Sequence, residues 1–188
     1  MGLFSLFSSD APAARPTSTS AGQPQSGRFD CRTPPASFSE LGVAGEGGLL
    51  LSFVPPDTDF SRVSAAWQRL SASGRSVLSL SSTGALCGQA GASPYCEMQG
   101  TQGSWLWLPQ GLIARHEVHV VDLHIKDTAT ASQRVAAIRR ELEKIRPGIP
   151  LSGERSFALV FCDGLSASEG FLMQAWYQSG HFPCLAIG

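Results

Sequence analysis

The sequence predicts an α/β fold: a mixed sheet built from two strand-helix-strand units with flanking helices, preceded by a disordered leader. Three observations carry that expectation. Two apolar runs, residues 49–54 with Ser52 as its one polar position and residues 157–162, are each followed by a segment of helical period and then a second strand-like run, the plan of a parallel strand-helix-strand unit. A third amphipathic segment, residues 130–145, lies between them. Residues 1–47 hold five of the 12 prolines among Ala, Ser, Thr and Gly, a composition that buries too little apolar surface to offset its ordering entropy.

Composition narrows function by exclusion. Only 15% of the 188 residues are charged, against roughly 25% in an average soluble protein. The formal net charge of −1 offers no basic footprint for nucleic acid or an anionic membrane. No apolar run approaches the roughly 20 residues of a membrane helix. Residues 1–7 form a short apolar tag without the basic start of a secretory signal. Gly2 suggests myristoylation, but that motif asks for Ser or Thr where Leu6 stands. Cys31, Cys87, Cys96, Cys162 and Cys184 are odd in number and lack any Cys-x-x-Cys, so a reduced, cytoplasmic chain with buried thiols is the simplest reading. Cys87 and Cys96 share one loop, where a pairing or a metal is the alternative.

Taken in order, the leader's apolar punctuation is Phe29, Phe38, Leu41 and Val43, suited to a short segment lying on the domain. The folded part starts at residue 48. Residues 49–54 read as a strand buried on both faces, closed by Pro55 and Pro56. Thr58 or Asp59 caps a helix reaching Ser73, with Phe60, Val63, Trp67 and Leu70 at three- and four-residue steps. Residues 76–81 are the next strand, 82–103 a loop, 105–108 a short aromatic strand and 113–125 a longer, partly alternating one. Thr130 with Gln133 forms a capping box for a helix whose apolar face is Val135, Ile138, Leu142 and Ile145. Its other face carries Arg134, Arg139, Arg140, Glu141 and Lys144 and reads as solvated. Residues 157–162 are a strand, Ser166 with Glu169 a second capping box for a helix to Tyr177, and 182–187 the last strand. The helix-to-strand joints Ser73-Gly74-Arg75 and Ser179-Gly180-His181 resemble each other, through internal duplication or through convergence on a glycine cap.

Phe161-Cys162-Asp163-Gly164 at a strand end, the helix after it, and the closing Cys184-Leu185-Ala186-Ile187-Gly188 resemble the N-terminal half of the FIST (F-box and intracellular signal transduction) domain. Ser81-Ser82-Thr83-Gly84 resembles that family's Ser/Thr-Gly turn after its first strand-helix-strand unit. The resemblance spans residues 48–188, leaving 1–47 as the leader. It implies a non-catalytic sensory input domain of bacterial signal transduction, binding a small ligand such as an amino acid. Its expected partner is a signalling module: methyl-accepting, histidine kinase or cyclic-dinucleotide. Family members usually continue through a second half, so a chain stopping at Gly188 is expected to be a truncated or partial one. The family also includes haem-binding nitric-oxide sensors, so the resemblance allows haem, although no motif here assigns its ligand.

The residues singled out for chemistry each have a plainer alternative. Asp163, with Gly164, ends a buried strand ahead of a helix, where ligands collect in open α/β sheets. Ser82 and Thr83 hold the matching position in the first unit. Ser166 is a helix cap or, with the amides after it, a holder for a ligand carboxylate. Asp122, between Val121 and Leu123, is a solvated strand end or a grip for a ligand's amino group. Trp105 and Trp107 share one strand face, as core or as a stacking platform. His116 and His124 fall on one face of their strand and His119 on the other, a poor geometry for a metal triad. No nucleophile elbow, Walker loop, dinucleotide fingerprint or His-Glu-x-x-His occurs. The alternative to a sensor is an α/β enzyme, or a degenerate one, using Cys162, Ser166 or Asp163, with His181 as partner to Cys162 or Cys184.

Overall fold

The computed structural model describes residues 2–8, 22–43, 47–71, 75–86, 95–97, 100–123 and 130–188. In chain order the strands are β1 (Gly2–Ser8), β2 (Gln25–Asp30), β3 (Leu49–Val54), β4 (Ser76–Ser81), β5 (Gly84–Leu86), β6 (Tyr95–Glu97), β7 (Gln102–Leu108), β8 (Arg115–Val121), β9 (Ser156–Cys162) and β10 (Leu185–Ile187). The helices are α1 (Phe60–Ser71), α2 (Ala131–Lys144) and α3 (Glu169–Ser179). The chain divides into two compact units, one of Met1–Ala14 with Ala114–Gly188 and one of Arg15–Ile113.

In the Arg15–Ile113 unit, the run at β3 is a central strand. It pairs in parallel with β4 and antiparallel with β7, and β2 completes the sheet in the order β2-β7-β3-β4. Helix α1 lies between the two strands in the chain, the crossover connection that a parallel pairing requires. Asp59 caps it: its Oδ1 accepts the Arg62 N–H at 3.0 Å, while the Thr58 hydroxyl donates to the Pro55 carbonyl. Val63, Trp67 and Leu70 on α1 pack with Leu50, Val54, Trp105 and Trp107. The two tryptophans of β7 are core, on one face by the two-residue period. Phe29, Phe38 and Val43 join the same cluster. Gly27 and Gly103 stand opposite Trp105 and Phe29 in the β2–β7 ladder. A Cβ at Gly27 would come within 2.8 Å of the Trp105 ring; the aromatic takes the space that glycine vacates.

The Met1–Ala14 and Ala114–Gly188 unit has the sheet order β10-β9-β1-β8. Strands β9 and β10 are parallel and joined through α3, and β1 is antiparallel to both β8 and β9. Leu6, Val121, Ala158 and Val160 pack with Val135, Ile138 and Leu142 of α2 and Leu172, Ala175 and Trp176 of α3. The Thr130–Gln133 capping box forms in full.

The fold class is α/β, as the sequence predicts, but in place of the one expected mixed sheet each strand-helix-strand unit anchors its own four-stranded mixed sheet. Part of the expected leader is built into these sheets, because β1 and β2 complete ladders that the later strands leave open. Met1 and residues 9–21 and 44–46 of that segment lie outside the described residues. The loop at 82–103 contains the short antiparallel pair β5–β6. Expected strands 113–125 and 182–187 are shorter than their apolar patterns, at β8 and β10; Pro183 has no N–H for a ladder. The second capping box does not form: α3 starts at Glu169, and its N-cap is Ser168. Among the described residues no helix is long and apolar enough to cross a membrane.

Candidate functional site

Strand β9 ends at Cys162, and a tight turn follows before α3 begins. In that turn the Ser166 N–H and hydroxyl both donate to the Asp163 carbonyl, at 2.9 and 2.6 Å. This local bond occupies the Ser166 side chain and moves the helix start two residues on. Ala167 has φ 45°, a left-handed conformation that costs a non-glycine residue about 1–3 kcal/mol. Asp163 and Gly164 are exposed at the mouth of the turn, and a Cβ at Gly164 would meet open space.

Ser168 is fully buried. Its hydroxyl donates to the Ser166 carbonyl at 2.9 Å and accepts from Arg134 Nη2 at 2.6 Å. It therefore makes no side-chain cap for α3, whose first amides keep free donor capacity and a partial positive charge. The guanidinium of Arg134 lies over the Phe171 ring, its Cζ 4.3 Å from the centroid. Arg134 Nε is buried with no hydrogen-bond partner. Arg134 and the start of α3, which lacks a side-chain cap, thus meet at Ser168 and Phe171, and the exposed Asp163 precedes them on the same turn.

Arg134 was not singled out in the sequence, where it belongs to the charged face of α2. The signal was its spacing: four residues before Ile138 and one before Val135, it borders the buried stripe. The other candidates lie elsewhere. Ser82 and Thr83 belong to the Arg15–Ile113 unit. The Ser82 hydroxyl donates to the Gly84 carbonyl at 2.6 Å and accepts the Gly84 N–H at 3.3 Å, and Thr83 is exposed. Asp122 is exposed just beyond β8, between buried Val121 and Leu123.

His119 Nε2 is 3.3 Å from Glu117 Oε2, and Glu117 also accepts the Gly148 N–H. His116 falls on the opposite strand face; burial lowers its pKa from 6.5. His124 and Cys87 lie outside the described residues. Among the described residues, no three His, Cys, Asp or Glu side chains group as a metal site. Burial pushes the Cys162 and Cys184 thiols up, and Glu169 adds to the effect at Cys162. Both are thereby poorer nucleophiles near neutral pH. His181 Nε2 is engaged by the Ile145 carbonyl at 2.8 Å.

No curated protein and no solved structure matches the chain. The FIST N domain matches residues 48–188, which takes in both strand-helix-strand units and the turn that carries Asp163. With that match over most of its length, the chain belongs to the FIST family of sensory signal-transduction domains.

Proposed function

We propose that this domain senses a small zwitterionic metabolite, an amino acid or a close relative, at the β9–α3 turn. The observation that carries the reading is Arg134: a guanidinium stacked on Phe171, with an unpartnered Nε, beside the uncapped first turn of α3. A ligand carboxylate would be held by Arg134 and those amides. A ligand ammonium would meet Asp163, and the exposed position of Gly164 beside it leaves room for approach. No step of covalent chemistry is involved.

Signalling then needs a ligand that prefers one arrangement of the turn over another, because only differential affinity moves such an equilibrium. The output belongs to a methyl-accepting, kinase or cyclic-dinucleotide module, in the cytoplasm, where buried free thiols such as Cys31 and Cys184 stay reduced. The test is a thermal-shift screen of the protein against the individual amino acids. A binder at one hundred times its Kd adds about 2.7 kcal/mol, enough to raise Tm by several degrees. Asp163→Ala and Arg134→Gln are expected to remove that rise. A screen in which no amino acid raises Tm, or a rise that both variants retain, overturns the proposal.

A further inference from the structure

The two units share one strand plan. Both run outer, inner, inner, outer, with two antiparallel pairings followed by one parallel pairing: β2-β7-β3-β4 in one and β8-β1-β9-β10 in the other. In the first, the inner antiparallel strand is β7, supplied by the same continuous stretch as its neighbours. In the second, that place is filled by Gly2–Ser8, from the far end of the chain, while β8 begins only at Arg115.

We infer that the gap between β8 and β9 is a strand-acceptor site, and that the chain's own Gly2–Ser8 fills it as an exchangeable peptide ligand. Every residue of β1 is in register with β8 on one side and β9 on the other, from Gly2 opposite Val121 and Cys162 to Ser8 opposite Arg115 and Ser156. Among the described residues strand β8 has no other partner in its sheet, so it presents an open ladder when β1 leaves. The slot also has an apolar socket: Leu6, between Glu117 and Ala158 in the register, is fully buried in the core cluster.

Recognition of this kind draws affinity from main-chain hydrogen bonds and selectivity from alternate side chains. The ligand class follows. It is an extended, uncharged segment of the length of β1, antiparallel to both β8 and β9, with an aliphatic residue at the Leu6 register. In one chain the cis strand keeps an intramolecular advantage, because closing entropy grows only slowly with separation; exchange is therefore read after β1 has been cut free.

The experiment uses the folded full chain with a protease recognition sequence inserted between Ala13 and Ala14. After cleavage, the N-terminal fragment should remain bound through gel filtration, then exchange for a fluorescent synthetic peptide of residues 1–13 with saturable anisotropy. A peptide carrying Leu6→Asp should bind at least about tenfold more weakly, the loss expected for one buried leucine. Three results overturn the inference: a fragment that leaves without labelled peptide binding, a fragment that never exchanges, or equal binding by the Leu6→Asp peptide. None of these readouts depends on an amino-acid ligand.

Discussion

His116 lies half-buried on β8, and its burial, which disfavours the charged ring, sets a pH dependence. In the unfolded chain it takes up a proton near 6.5; in the fold it does so only at lower pH. The unfolded state thus binds more protons in that window, and stability falls as pH drops below the ordinary histidine value. Replacing it by His116→Gln should flatten this part of the curve, measured as denaturant midpoint against pH from 8 down to about 5. An unchanged curve would show that burial of His116 has no such effect. The same scale explains why Arg134 escaped a reading of the sequence. A charged residue beside an apolar stripe looks the same whether it reaches into water or over a ring on another helix, and only Phe171 and Ser168 decide which.

At the scale of elements, the two capping boxes make an instructive pair. Both Thr130–Gln133 and Ser166–Glu169 carry the right spacing, and only the first forms. Thr130 Oγ1 accepts the Gln133 N–H at 3.3 Å and Gln133 Oε1 accepts the Thr130 N–H at 2.9 Å. Ser166 instead turns back to the Asp163 carbonyl, because the chain leaving β9 must bend at once to bring α3 onto the sheet. Thr130→Ala is expected to cost about 1 kcal/mol, read as a lower Tm with unchanged circular dichroism. Ser166→Ala should leave the α3 cap untouched. Strands β3 and β4 have the bounds the sequence predicts; β3, buried along nearly its whole length, announces itself by its apolar run without needing a period. Strand β1 was illegible: seven residues of Gly, Leu, Phe and Ser acquire a partner only through strands more than a hundred residues away.

Across the molecule, each unit has its own apolar cluster, one around Trp67 and Trp107 and the other around Ile138, Leu142 and Trp176. Ile138 is fully buried on α2, in the cluster that also holds Leu6, Ala158 and Leu172. Ile138→Ala should therefore cost about 2–5 kcal/mol. Because β1 belongs to that cluster, hydrogen exchange should speed up at residues 2–8 together with 115–121 and 156–162, and a rise confined to α2 would contradict the unit as assembled. The sequence alone determined the α/β class, the three helices and the parallel strand-helix-strand units, because those depend on period, caps and apolar runs within a short stretch of chain. It also held the turn at Asp163-Gly164 and the family resemblance. Tertiary structure alone decided that the units build separate sheets, that Gly2–Ser8 completes one of them, and that Arg134 reaches Ser168. Each of those outcomes depends on which distant backbone or side chain supplies the missing hydrogen-bond partner, and local sequence carries no record of that choice.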